Sequence, residues 1–413
     1  MITRKLYDVD SHISVFEASV ISCAPANEKK HAGMTRIELD QTAFFAEGGG
    51  QACDRGYLEQ VTADPAAALR YQVVDVQEEN EHIYHYVTGL SPINLKAGEP
   101  LRGAIDWDYR FDHMQQHSGE HILSGICYAW KGYHNVGFHL GEEITTIDFD
   151  GPLTEEELLL LEEKTNQVIW KNEPVRIFYP SAEELEKMDY RSKKELSGDV
   201  RIVQMGDTDL CACCAPHVMK NGEVGVVKIV HHMNYKGGVR LSIVCGNRAL
   251  KDYVFKDRTI RSIAADLSTK PEKVAAILKK QQAEIEERKL FLQTLSQELI
   301  RYRLEEMEKQ AAEDGGSVVF CEKMLDQTAA RSLLNRLCET IDGYGVCLIL
   351  KEGQPESYAY LSASKKRDCR LISEALKNRF GARGGGSAAM TQGSVSGSFE
   401  EIRKALKKAI SEG

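Results

Sequence analysis

The chain contains no run approaching the roughly 18 apolar residues that a helical membrane span needs. No membrane partner is therefore expected. The opening MITRKLYDVD lacks an apolar leader, so nothing in it directs export. Its cysteines do not suit a disulfide framework: they number 11, which is odd, and Cys211, Cys213 and Cys214 crowd together. A reducing, cytoplasmic setting is expected. An excess of positive charge is also absent. The formal net charge is −10, with 62 Asp and Glu against 52 Lys and Arg, which argues against sequence-blind binding to nucleic acid through charge alone. Residues 361–413 run against this balance, with 11 Lys and Arg to 5 Asp and Glu. Taken alone, such a run reads as a solvated helix face.

What the chain does hold is metal-ligand chemistry. His117 and His121 in HSGEH, and Cys213 and His217 in CCAPH, form two pairs at a spacing of four residues. Imidazole and thiolate donors suit zinc rather than calcium or magnesium, which take oxygen ligands. Two residues four apart share one side of a helix. The pairs are far apart in sequence, so the fold must join them, and one zinc ion per chain is expected. His113 forms a second HxxxH pair with His117, which leaves the register open. Pro216 argues against a regular helix at the second pair and for a loop at a strand end. Four protein ligands close a coordination sphere, whereas a catalytic ion usually keeps a position open, so count alone leaves the role of the ion undecided. His117 to His121 also spell H-x-x-E-H, a zinc-peptidase pattern in which Glu is the general base. That nominates Glu120 as a water-activating carboxylate, although the peptidase reading leaves Cys213 and His217 without a task.

The pattern along the chain predicts an α+β protein of four parts. Short strands at 35–40, 70–76, 82–87 and 102–106 predict a β-barrel-like domain over 1–95. A helix over 109–130 carries the first ligand pair, and capping boxes at Thr154/Glu157 and Ser181/Glu184 start two more. With strands at 200–205, 222–233 and 239–246, these predict an α+β zinc-binding domain over 96–250. Residues 251–313 read as a helical linker. Within it, 271–311 lack glycine and place Leu278, Ile285, Leu292 and Leu299 at sevenfold spacing. Gln281 and Arg288 interrupt the partner seam, so a long helix able to pack on another chain fits better than a strict coiled coil. Residues 314–413 read as an α/β domain with strands at SVVF, VCLIL and SYAYL, helices at 327–341 and 368–380, a Gly-rich loop and a capped helix from Ser398.

Thr42–Gln51, TAFFAEGGGQ, sets three glycines after an apolar, aromatic stretch. Glycine allows close approach of the backbone to a ligand, so the segment reads as one wall of a substrate pocket or as a flexible turn. With these residues the chain resembles the alanyl-tRNA editing family, meaning the editing region of alanyl-tRNA synthetase and its freestanding AlaX-type relatives. The resemblance covers most of the chain. The family pattern T-x-F-Y-P-E-G-G-G-Q is matched at Thr42–Gln51, with Phe45 and Ala46 in place of Tyr and Pro. Its ligand pairs are matched at His117/His121 and Cys213/His217, and its following strand and turn at KGGVR (236–240) and CGNRAL (245–250). The last part is similar to the DHH-associated domain, with Gly384-Gly385-Gly386 and Gln392-Gly393 in its Gly-rich loop.

The resemblance implies a trans-editing, ATP-independent hydrolase of the long freestanding type that serves translation fidelity. Its reaction is hydrolysis of the ester joining serine, and by extension glycine, to the 3′-terminal adenosine of alanine tRNA. It implies a zinc ion at the four ligands, and substrate contacts from Thr42, Glu47, Gly48, Gly49, Gly50, Gln51 and Arg240. A Thr42 hydroxyl paired by serine would be left unpaired by alanine, which rejects correctly charged tRNA. The basic tail is then expected to contact RNA, with Arg379, Arg383, Gly384, Gly385 and Gly386 holding phosphate. No aminoacylation domain is expected to precede the editing part, and a homodimer through the helical linker or C-terminal domain is expected. Glu120 stands where the synthetases commonly carry Thr. Competing readings are a deacylase for another mischarged tRNA, an H-x-x-E-H zinc peptidase and a non-catalytic RNA-binding zinc protein. A DHH phosphoesterase is disfavoured because the chain has no D-H-H triplet.

Overall fold

Strict alternation builds the opening of the chain: in Val15–Pro25, Phe16, Ala18 and Val20 are buried while their neighbours face outward. The computed structural model describes residues 2–64, 68–89, 93–192, 200–351 and 353–412. It divides the chain into two units, Met1–Arg261 and Ser262–Gly413. In the first unit, β1 (Arg4–Lys5) pairs in parallel with β4 (Gln41–Thr42). A closed six-stranded barrel is formed by β2 (Val15–Pro25), β3 (Thr35–Leu39), β5 (Gly56–Gln60), β6 (Arg70–Glu79), β7 (His82–Thr88) and β8 (Pro100–Ile105), in the order β2-β3-β7-β6-β5-β8. Closure removes the exposed edges an open sheet would leave. Val20, Ile37, Leu39, Leu58, Ile83 and Leu101 fill its interior. Its last strand lies beyond residue 95, at 100–105.

The motif segment after β4 is buried throughout from Ala43 to Ala46 but faces two ways. Ala43, Phe44 and Ala46 join the barrel core, while Phe45 packs with Tyr7, Ala215 and Cys213. The barrel thereby holds the segment by one face and leaves the other for the second ligand loop. A buried ion pair fixes the arrangement. Arg110 sends its Nε–H to Asp54 and an Nη2–H to the Ala43 carbonyl at 2.6 Å, while Asp54 accepts the Phe45 N–H at 2.6 Å.

Arg110 belongs to α1 (Trp107–Lys131), which starts where the Asp106 carboxylate caps the Tyr109 N–H and stops at Gly132 in the left-handed conformation. It is buried on nearly every side, apolar at Met114, Ile122, Leu123 and Cys127 and polar at Gln116, His117, Ser118, Glu120 and His121. A helix so buried yet so polar requires partners for each polar group. Around it lie β9 (Asn135–Leu140), β10 (Thr145–Phe149), α2 (Glu155–Lys171), β11 (Val175–Phe178), α3 (Ala182–Leu185), β12 (Ile202–Met205), β13 (Asp209–Ala212), β14 (Val227–Tyr235) and β15 (Gly238–Cys245). These form sheets β14-β15-β10-β9 and β11-β12-β13. Both expected capping boxes are present, at Thr154/Glu157 and Ser181/Glu184. Gly119 lets α1 lie close to β15, since a Cβ there would meet Cys245 Sγ at 2.5 Å.

The second unit takes in the end of α4 (Gly246–Asp266) and then the 40-residue α5 (Val274–Glu313). It then runs β16 (Val318–Glu322), α6 (Gln327–Thr340), β17 (Gly345–Leu350), β18 (Ser357–Ala363), α7 (Arg370–Phe380), β19 (Arg383–Gly386), β20 (Met390–Ser396) and α8 (Phe399–Glu412). The sheet order is β16-β17-β18-β20-β19. The C-terminal part of α5 and α6 cover one face through Ile300, Met307, Leu333 and Leu337, and α7 and α8 cover the other through Ile372, Leu376, Ile402 and Leu406. The Gly-rich stretch expected as a loop is instead the edge strand β19. Its glycines permit unusually close pairing, because a Cβ at Gly384 would lie 2.2 Å from the Gln392 carbonyl oxygen. Among the described residues, no helix is long and apolar enough to cross a membrane.

Candidate metal centre

Two elements with different local logic deliver the four donors. α1 presents His117 and His121 one turn apart, and β13 ends at Ala212 so that Cys213, Pro216 and His217 follow in irregular backbone. The donor atoms of His117, His121, Cys213 and His217 all lie within 4.8 Å of one another. Cys213 Sγ is 3.6 Å from His117 Nε2 and 3.3 Å from His217 Nε2. Tetrahedral zinc, with bonds of about 2.05 Å to nitrogen and about 2.3 Å to sulfur, sets that separation near 3.6 Å. The donor set and its spacing therefore fit such an ion.

Each histidine also has an oxygen partner for its outer nitrogen. His117 Nδ1 is 2.9 Å from Gln51 Oε1, His121 Nδ1 is 3.0 Å from Asp209 Oδ2, and His217 Nδ1 is 3.1 Å from Ser118 Oγ. With the proton on Nδ1, every Nε2 lone pair faces the centre. Ser118 Oγ additionally accepts the Val218 N–H, and Asp209 is gripped by Arg191 through Nε at 2.6 Å and Nη2 at 2.8 Å. Burial alone would raise the Cys213 thiol. The imidazole of His117, through charge and a hydrogen bond, and that of His121, through a hydrogen bond, more than offset this and bring it well below its ordinary value, so the thiolate is the favoured form. Burial holds His217 down to about 3, which keeps it neutral and available as a donor.

Gln51 thus connects the glycine turn to the cluster. Gly48 and Gln51 close that turn through paired backbone hydrogen bonds, and Gly49 and Gly50 both take positive φ, at 60° and 83°. Gly49 lies against Cys214 Sγ, Gly50 lies against the Phe138 ring, and Phe138 stacks on His117 with ring centroids 4.8 Å apart. Glu47 accepts from Gln77 at the outer end of the turn. Thr42 is fully buried. Its Oγ1 accepts the Phe44 N–H and sits 2.8 Å from His85 Nε2, while His85 Nδ1 lies 3.1 Å from the Ile37 carbonyl oxygen. Burial lowers His85 to about 4, so it is neutral, donating from Nδ1 and accepting the Thr42 proton at Nε2.

Glu120 is buried beside the cluster, its Oε1 accepting from Ser124 and Asn135 and its Oε2 4.0 Å from His121 Nε2. Arg240 lies on β15, paired through two hydrogen bonds with Asp148 and stacked 3.9 Å over the Tyr235 ring. In the second unit, Arg379 lies in the last turn of α7 and Arg383 to Gly386 form β19, all exposed. Residue-by-residue reading missed Asp209, Arg191, Ser118, His85 and Phe138. A signal for one of them exists: Asp209, Cys211 and Cys213 alternate, which places Asp209 on the ligand-bearing face of a strand.

A profile described as tRNA synthetases class II (A) matches residues 9–109, and one described as threonyl and alanyl tRNA synthetase second additional domain matches residues 200–241. The chain is 32% identical to an alanine–tRNA ligase of Ignicoccus hospitalis over 293 residues, covering 69% of this chain and 30% of the ligase. It is 24% identical to the alanyl-tRNA editing protein AlaX-L of Pyrococcus horikoshii, covering 97% of this chain and 96% of that protein. An alanyl-tRNA editing protein of Rattus norvegicus is 30% identical, with 59% of this chain and 58% of that one covered. The chain spans less than half the length of the alanine–tRNA ligases it matches.

Proposed function

Because the chain belongs to the family that unites alanyl-tRNA editing proteins with the editing regions of alanine–tRNA ligases, we propose that it hydrolyses the ester between a wrong amino acid and alanine tRNA. Serine is the primary substrate of this reading and glycine a second, and the reaction takes place in the cytoplasm. The observation that carries the reading is the hydrogen bond from His117 to Gln51, which makes the EGGGQ turn and the four-donor cluster one site. The ion of this proposal is zinc, one per chain, held by His117, His121, Cys213 and His217. When bound, it would supply a positive charge that anchors the substrate's amino or ribose group or polarises water.

This chain's residues have the remaining tasks. Gln51 fixes the His117 ring, while Gly48, Gly49 and Gly50 bring bare backbone against the substrate. Glu120, oriented by Ser124 and Asn135, holds the attacking water. At Thr42, the proton goes to neutral His85 and one lone pair takes the Phe44 N–H, which leaves one further lone pair to accept the serine hydroxyl; alanine offers no such donor. Arg240 and Glu47 line the approach, and Arg379, Arg383 and the Gly384–Gly386 strand contact tRNA phosphates. Self-association through α5 belongs to the same proposal, since Leu278, Ile285, Leu292 and Leu295 are exposed there. The zinc-peptidase reading fits less well, because the inner donor set contains no carboxylate ligand.

The test incubates the purified chain with alanine tRNA charged with serine, glycine or alanine and follows release of the amino acid. Hydrolysis of the seryl and glycyl esters with sparing of the alanyl ester is expected. Inertness toward all three overturns the proposal and favours a binding protein.

A further inference from the structure

His121 belongs to two donor sets. One is the four-residue cluster; the other is His121 with Asp209 and Cys211, whose donor atoms also lie within 4.8 Å of one another and are all buried. Imidazole, carboxylate and thiolate are each competent ligands for zinc-type ions, so the second set is a rival for the same metal. Arg191 already supplies the positive charge of that rival set. Its Nε and Nη2 take up both oxygens of Asp209, and the His121 Nδ1–H takes a further lone pair of Oδ2. A carboxylate has about four lone-pair sites, so little of Asp209 is left for a metal. Nor is the guanidinium free to swing away with a loop. The Arg191 N–H bonds to the Leu210 carbonyl at 2.8 Å and the Arg191 carbonyl accepts the Ala212 N–H at 2.9 Å, which seats residue 191 on β13 itself.

We infer that Arg191 is a positioning residue that keeps the metal in the His117–His121–Cys213–His217 set by occupying the overlapping His121–Asp209–Cys211 set. Through Asp209 it also holds His121 with Nδ1 outward, so that Nε2 faces Cys213. Removal of the guanidinium frees Asp209 as a ligand, brings Cys211 into reach of the ion and lets His121 turn. The inference concerns where a metal binds and does not depend on the ester-hydrolysis reading.

Cobalt(II) titration of the metal-stripped full chain tests it, because a thiolate bound to cobalt gives a charge-transfer band and each cysteine can be removed in turn. The wild-type chain is expected to bind one equivalent, with a band that Cys211→Ser leaves unchanged. With Arg191 in place, Cys213→Ser should lose the band entirely. When Arg191→Met is combined with Cys213→Ser, a band should return that Cys211→Ser then removes. Arg191→Lys, which keeps a positive charge there, should not let it return. A Cys213→Ser chain that keeps a Cys211-dependent band overturns the inference without any change at Arg191. So does a folded Arg191→Met/Cys213→Ser chain with no band. A wild-type chain that binds no cobalt overturns the metal centre itself.

Discussion

Replacing Gln51 with Leu tests the coupling between the glycine turn and the cluster. Gln51 is 2% exposed and its Oε1 lies 2.9 Å from His117 Nδ1, in a pocket where no solvent can substitute for the lost acceptor. Ligation through Nε2 requires the proton on Nδ1, so the loaded state leaves a buried N–H unpaired. That costs about 1–3 kcal/mol. In the metal-free chain the ring can turn toward another partner, so the penalty falls mainly on the loaded state. Each 1.4 kcal/mol is tenfold in affinity, and loss of an outer partner of a ligating histidine typically weakens metal binding about 10–100-fold. Gln51→Leu is therefore expected to lower zinc affinity by about 10–100-fold, read by competition with a chromophoric chelator. Gln51→Glu, which keeps an acceptor, should recover most of it. An unchanged affinity in a folded Gln51→Leu chain would refute the assignment of Nδ1 to Gln51 and Nε2 to the metal.

Other consequences are open to measurement. Arg110→Met leaves the Asp54 carboxylate buried and unpaired, and should destabilise the first unit by about 3–5 kcal/mol in urea unfolding; a loss below 1 kcal/mol would show that Asp54 finds another partner. His85 is neutral when folded because burial lowers it to about 4, whereas the unfolded chain titrates it near 6.5. The unfolded state therefore binds the extra proton, and the stability from this group, complete above about 6.5, should drain away as pH falls to about 4, by about 3 kcal/mol. His85→Gln should lack that component, and equal slopes in the two chains would contradict it. Arg379→Ala with Arg383→Ala should weaken tRNA binding and reduce its salt dependence by about two charges while leaving zinc content unchanged. An unaltered salt slope would return the basic tail to a solvated surface.

Much of the architecture was legible because it depends on local rules. Alternation marked the barrel strands, the Thr154 and Ser181 capping boxes marked two helix starts, and Pro216 placed the second donor pair in irregular backbone. The donor residues were legible as types and spacings. What escaped were partners defined only by folding: Asp209 lies close to Cys213 in sequence, but its hydrogen bond to His121 spans two elements. His85 sits on a barrel strand as an ordinary inward residue, and nothing local reveals that it holds Thr42. The Gly-rich stretch misled for a physical reason. Glycine marks turns and close backbone pairing alike, and at Gly384 close pairing on an edge strand prevails.

The central claim is that the four-donor cluster and the EGGGQ turn form one ester-hydrolysing pocket. Its most direct test is the rate at which wild-type and Cys213→Ala chains release serine from alanine tRNA, with the helix content of both checked by circular dichroism. The account predicts rapid release by the wild type and a loss of at least about 100-fold in a folded Cys213→Ala chain. Equal release by both chains would contradict it.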